Sequence, residues 1–216
     1  MPETTQLLMF IVAGWLLNLT PGPDVLYIVS SALKSGVRAG LVAALGIVSG
    51  CFVHVFAAAL GVGALLATSA AAFTVLKWVG AAYLTWMGVK LLLARGGSQV
   101  VPAAGAALHV PANLWRVFRQ GFLTNVLNPK VALFFLAFVP QFIAPGTENK
   151  VGAFLLLGLL FNLNSLPINF AYAWLAGWAS RRVGAVQRIM HRMDRAAGAM
   201  FIGFGLKLAL SENPNR

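Results

Sequence analysis

Asn18-Leu19-Thr20-Pro21-Gly22-Pro23-Asp24 interrupts the first apolar stretch of the chain with two prolines, a glycine and a carboxylate. A second interruption, Asn125-Val126-Leu127-Asn128-Pro129-Lys130, lies 107 residues further on, counted from Asn18 to Asn125. The sequence around both is almost continuously apolar. Lipid offers no partner to an exposed peptide group, so a broken helix at membrane depth must line protein or a water-filled cavity. Interrupted segments at matching positions of two halves are the sequence pointer to a central binding site between them.

Composition agrees with a membrane setting. Of 216 residues, 59% are apolar and 10% are charged, against about 25% charged in an ordinary soluble domain. The net charge of +11 does not indicate nucleic acid, because the Lys and Arg sit between apolar blocks as in cytoplasmic loops. Cys51 is the only cysteine; it excludes an intrachain disulfide and a paired-thiol centre. Together with three scattered histidines, His54, His109 and His191, it leaves no ligand set for haem, so no cofactor and no resident metal is expected. The start, Met1-Pro2-Glu3-Thr4-Thr5-Gln6, lacks a basic secretory n-region, and the stretch after it reads as a retained first span.

Crossing a bilayer takes roughly 20 mostly apolar residues. Six stretches satisfy this: 7–33, 39–66, 73–93, 117–143, 151–178 and 189–210. The last is the shortest, with Asp194 and Arg195 expected at its interface. Six spans put eleven basic residues, among them Lys34, Arg38, Lys90, Arg116, Arg181 and Arg192, on one side. Four, Lys77, Lys150, Lys207 and Arg216, fall on the other. The basic side is then cytoplasmic and both termini lie outside. Trp15, Trp78, Trp115, Trp174 and Trp178 lie toward span ends and read as interfacial anchors.

The halves also match each other. Gly14-Trp15-Leu16-Leu17-Asn18 aligns with Gly121-Phe122-Leu123-Thr124-Asn125, and Pro23-Asp24 falls against Pro129-Lys130 after one deletion. Gly80-Ala81-Ala82-Tyr83-Leu84 has a counterpart in Gly198-Ala199-Met200-Phe201-Ile202. The expected organisation is therefore a three-helix repeat over 1–95, a cytoplasmic linker over 96–115 and a second repeat over 116–216. Three being odd, the copies are inverted, and their broken first and fourth helices meet near the midplane. The fold class is an all-α integral membrane protein.

Thr20-Pro21 and Asn128-Pro129 each read as an N-cap followed by proline at the first helical position. Each would open a half-helix whose free N–H groups favour an anion. The prolines also free the carbonyls four residues back, at Leu17, Leu19 and Asn125, for a cation. Amides beside carbonyls suit a zwitterion, although two kinks that only shape packing have the same sequence signature. Asp24 and Lys130 are charges placed deep inside spans, where each costs roughly 2.5–3.5 kcal/mol on insertion scales. They read either as a proton-coupling pair, with Asp24 alternating between proton, Lys130 and a substrate ammonium, or as a fixed ion pair. Asn162, Ser165 and Asn169 share a face of the fifth span, with Pro167 between them as a further candidate opening. Gly46, Gly50 and His54 share a face of the second. There the glycines suit close helix contact, and His54 is either a packed histidine or a proton relay. The candidate substrate contacts are thus Asn18, Thr20, Gly22, Asp24, Asn125, Asn128, Lys130, Asn162 and Asn169, with Asp24, Lys130 and His54 for the proton.

The Asn-x-Thr-Pro-Gly-Pro-Asp motif resembles the signature of the lysine exporter and homoserine/threonine-resistance (LysE/RhtB) family. Gly121 through Lys130, then Phe134-Phe135 and Pro140-Gln141-Phe142, is similar to that family's second signature. The resemblance implies a bacterial inner-membrane exporter of amino acids or close derivatives, driven by proton antiport. It draws attention to Thr20, Pro21, Gly22, Pro23, Asp24, Asn125, Asn128, Pro129 and Lys130. A basic substrate would need a second acidic contact, and Asp24 is the one carboxylate placed in the membrane, so neutral amino acids are favoured. The expected partners are that substrate, protons and lipid, with no nucleic acid; a homodimer is compatible with so small a transporter. The alternative is a cation (metal-ion) exporter of a related fold, which would want several buried carboxylates.

Overall fold

The computed structural model describes residues 4–62, 112–143 and 147–178, with isolated helical positions between 74 and 93 and between 199 and 209. Most of the linker, much of the third and sixth predicted spans, Asp194, Arg195, His109 and His191 lie outside the described residues. Among the described residues every regular element is helical. These are α1 (Thr4–Leu19), α2 (Pro23–Ser35), α3 (Val37–Ala57), α4 (Leu114–Val126), α5 (Pro129–Leu133) and α6 (Lys150–Trp178). A π-helical turn, Ala58–Val62, extends α3; a π-helical and a 3₁₀ turn, Phe134–Phe138 and Val139–Phe142, extend α5.

Two helices are long and apolar enough to cross a membrane, Val37–Gly61 and Lys150–Trp178. Two bent helix pairs pass the same test together, each a broken span or a re-entrant segment. α1 meets α2 at 52°, and α4 meets the Pro129–Phe142 segment at 46°. The interruptions in the sequence are therefore real breaks within single hydrophobic lengths. α4 starts at Leu114, three residues before the expected span, because the Asn113 side chain accepts the Arg116 N–H as an N-cap.

α6 carries Pro167 in its interior and nevertheless runs unbroken for 29 residues, about 43 Å. The opening expected at Pro167 does not occur. One proline deletes one ladder bond, here the one to the Leu163 carbonyl, and a membrane helix tolerates such a loss where its surroundings compensate. At the other end of the fold's short connections, Gly36 (φ 83°) joins α2 directly to α3 while its N–H caps the Ala32 carbonyl. That positive φ favours glycine.

α1 is apolar all round, as a membrane helix should be, and its buried stripe is Phe10, Ala13 and Leu17. Leu8, Met9, Val12 and Trp15 face outward. The stripe packs into a core built from the end of α3 (Cys51, Val55, Ala58), the turns after α5 and Phe154, Leu157 and Phe161 of α6. Phe10 meets Phe142 edge-on at 5.3 Å between ring centroids, and Phe134 lies 4.9 Å from Phe161. α3 is central, lying against α2, α4 and α6. Trp115, Trp174 and Trp178 are exposed, as anchors at a bilayer interface would be.

Candidate functional site

The first break forms two residues later than its sequence suggests. Thr20 does not cap α2. Its hydroxyl turns back to the Leu16 carbonyl at 2.6 Å, closing α1. Pro23 holds the preceding Gly22 in extended backbone (φ −160°, ψ −172°). Gly22 is therefore the N-cap, without a side-chain bond, and Pro23 rather than Pro21 opens α2. The second break follows its sequence: Asn128 Oδ1 accepts the Lys130 N–H at 3.0 Å, and Pro129 is the first helical residue. Asn128→Ala should lower stability by about 0.5–2 kcal/mol, read as a lower Tm in detergent, while Asn128→Asp should retain it. An unchanged Tm for the alanine variant would show that the cap contributes nothing.

Each carbonyl that loses its usual partner to a proline accepts from a side chain of another helix, and Leu17 O and Asn125 O also take a backbone N–H, from Thr20 at 3.2 Å and Asn128 at 2.9 Å. Lys130 Nζ donates to the Leu17 and Thr20 carbonyls, both at 3.0 Å. Tyr172 Oη donates to Leu19 O at 2.9 Å. His54 Nε2 stands 2.9 Å from Asn125 O. A carbonyl only accepts, so Nε2 carries the hydrogen there. His54 thus reaches the site from behind, through the backbone of Asn125.

The two intramembrane charges sit where backbone dipoles tolerate them. Asp24 is in the first turn of α2, at the positive end, and Lys130 lies on the C-terminal carbonyls of α1, at a negative end. Both are buried, at 8% and 7% exposure. Asp24 Oδ2 accepts from Asn125 Nδ2 at 2.8 Å, and the Lys130 charge acts on the same carboxylate. Three hydrogen bonds therefore tie the first break to the second.

Beside this junction lies a cavity with about 20 Å³ of space for water centres, room for roughly one or two waters. Asn18, Asp24, Asn125, Lys130, Asn162 and Asn169 line it, so the structure gathers six of the singled-out residues in one place. Thr20, Gly22 and Asn128 build the breaks next to it and do not line it. Leu17, Val25, Ile47, Val48, Cys51, Val131 and Phe161 supply an apolar wall that the sequence did not single out. Nor did it reveal Tyr172 or Asn164, whose amide donates to the Ile11 carbonyl of α1 at 3.0 Å.

Several polar atoms around the cavity have no hydrogen-bond partner: Asn18 Nδ2, Asp24 Oδ1, Asn125 Oδ1 and both amide atoms of Asn162. Asn162 is 2% exposed. Leaving a buried polar group unsatisfied costs about 1–3 kcal/mol, so such a concentration calls for partners, which bound water or a polar guest in the cavity would supply. The set mixes donors with acceptors, one acceptor is a carboxylate, and the wall is apolar. That chemistry fits a compact zwitterion with an uncharged side chain. Among the described residues no three of His, Cys, Asp and Glu come together as a metal-binding group.

Comparison with known proteins gives an independent line. A family model described as LysE type translocator matches residues 15–212. An uncharacterized membrane protein of Vibrio cholerae is 33% identical over 95% of this chain and 97% of its own. A homoserine/homoserine lactone efflux protein of Salmonella typhimurium is 28% identical, covering 93% and 94%. A leucine efflux protein of an Enterobacter species is also 28% identical, covering 93% of each. No solved structure matches the chain.

Proposed function

The chain belongs to the LysE type translocator family, a family of membrane transporters, and from that premise we propose that it exports neutral amino acids or close derivatives from the cytoplasm by proton antiport. Relatives named for homoserine, homoserine lactone and leucine efflux support a small neutral substrate. The observation that carries the site assignment is the ring of unpartnered polar atoms where the two breaks meet. In this reading the chain has six spans as two inverted three-helix repeats, 1–95 and 116–216, in a bacterial inner membrane with both termini outside.

The substrate's α-ammonium lies toward Asp24 Oδ1 and the α1 carbonyls. Its carboxylate takes N–H groups from Asn18 and Asn162, and its side chain lies along Val25, Ile47 and Phe161. Asp24 is the proton carrier: protonated, it gives up the ammonium, and ionised, it takes one. The cavity is far smaller than an amino acid, so binding requires the helices around the breaks to move apart and close again, as alternating access demands.

Counterflow in proteoliposomes with a panel of labelled amino acids, with and without an imposed pH gradient, tests the reading. Neutral aliphatic amino acids should exchange, and a gradient should drive their accumulation. Flux of a divalent metal ion with none for any amino acid would sink it.

A further inference from the structure

Lys130 does more than place a positive charge in the membrane. Its ammonium is held by two carbonyls of the opposite break, Leu17 O and Thr20 O; because Pro21 lacks an N–H, Leu17 O has only the Thr20 N–H, at 3.2 Å, beside Lys130. Its stem crosses that break over Gly22: a Cβ added there would stand 3.3 Å from Nζ and 3.6 Å from Cε. The same side chain lines the cavity that contains Asp24 Oδ1 and the unpartnered Asn162 amide. Lys130 therefore lies between the cavity and the carbonyl pair that ends α1.

We propose that Lys130 is a tethered stand-in for the substrate's ammonium, occupying the Leu17–Thr20 carbonyl pair when no substrate is bound and leaving it when substrate arrives. This rests on the reading of the chain as an amino-acid exporter and deepens it. Both states keep the buried charges compensated. Without substrate, the Lys130 ammonium rests on the carbonyls beside the Asp24 carboxylate. With substrate, the incoming ammonium takes the carbonyls, and Lys130 turns to the incoming carboxylate. A lysine suits the exchange because its ammonium is compact and its four-carbon stem is flexible. Displacing the stem also enlarges a cavity that otherwise holds little more than water. The empty carrier is thereby never left with a half-satisfied carbonyl pair and an uncompensated Asp24, which would be costly in a low-dielectric interior.

The inference makes opposite predictions for two ligand classes. An amine without a carboxylate, such as isobutylamine, has to compete with Lys130 and gains nothing from displacing it. In Lys130→Met the competitor is gone, so isobutylamine should bind at least tenfold more tightly than to the natural chain. A zwitterion such as leucine or homoserine loses its carboxylate partner in the same variant and should bind more weakly. Binding to purified protein in detergent reads both, with Lys130→Gln as a second variant and a symmetrical size-exclusion peak as the folding check. Where Lys130→Ala is unstable, alkylamine should raise its Tm by filling the vacated carbonyls, and sodium chloride at equal strength should not. Unchanged or weaker amine binding in both Met and Gln variants would overturn the inference. Amine binding is read without any amino acid, so a chain that binds amines but transports no amino acid would refute the exporter reading alone.

Discussion

Asp24→Asn should lower pH-gradient-driven amino-acid accumulation by about a hundredfold or more while leaving the protein folded. The substitution preserves shape, and its amide oxygen can still accept the Asn125 Nδ2 hydrogen now held at 2.8 Å. What it removes is the charge that faces Lys130 and, in the proposed mechanism, takes the proton. In that mechanism no proton can be bound or released at position 24 in this variant, and each loss of about 1.4 kcal/mol from that step is tenfold. Counterflow at equal pH on both sides should fall less than gradient-driven uptake, because exchange needs the site but not the proton. Full gradient-driven accumulation by Asp24→Asn would move proton coupling elsewhere. Exchanging the charges, Asp24→Lys with Lys130→Asp, is expected to fail for a reason separate from coupling. It would set a lysine at the positive end of α2 and a carboxylate against the carbonyls that end α1.

The contrast between the two breaks shows what the sequence can and cannot carry. At Asn128-Pro129 the cap and its target are two residues apart, so local pattern suffices. Thr20 has two local choices, forward to α2 or back to Leu16, and a threonine before a proline reads the same either way. The deciding constraint is Pro23 acting on Gly22, which moves the start of α2 by two residues. Beyond such local rules, partners become illegible. That Lys130 would reach Leu17, 113 positions away, and Tyr172 would reach Leu19, 153 away, no periodicity announces. The polar face of Asn162, Ser165 and Asn169 could be read because polar residues stand out in an apolar helix. The apolar wall of the cavity could not, since Val25, Ile47 and Phe161 have the same chemistry as lipid-facing neighbours. Pro167 was misleading for the opposite reason: a strong local signal was overridden by the helix and its surroundings.

Substitution at Gly50 should be as damaging to the site as loss of a polar group, although Gly50 touches no substrate. α3 and α4 meet backbone to backbone. A Cβ at Gly46 would press into the Phe118 carbonyl, one at Gly50 would stand 2.5 Å from Phe122 O, and one at Gly121 would stand 2.6 Å from Ala43 O. The obstacles are backbone carbonyls, which cannot rotate away as a side chain would, so the helices must separate. Overpacking of this kind costs about 1–3 kcal/mol, a fall in Tm of roughly 2–12 °C for a chain of this size, with Gly50→Val at the upper end and Gly50→Ala at the lower. The functional loss is expected to exceed what the stability change explains, because the same Cβ would also lie 3.1 Å from Asn125 Cβ. Asn125 holds the Asp24 carboxylate with its side chain and His54 with its carbonyl. Shifting it loosens the junction between the breaks even in protein that stays folded. Gly61→Ala is the control, since a Cβ there meets nothing within 4 Å; its Tm and transport should match the natural chain. Gly50→Val with natural Tm and counterflow would show that α3 and α4 are not locked at this contact, and that Asn125 is positioned by something other than their close approach.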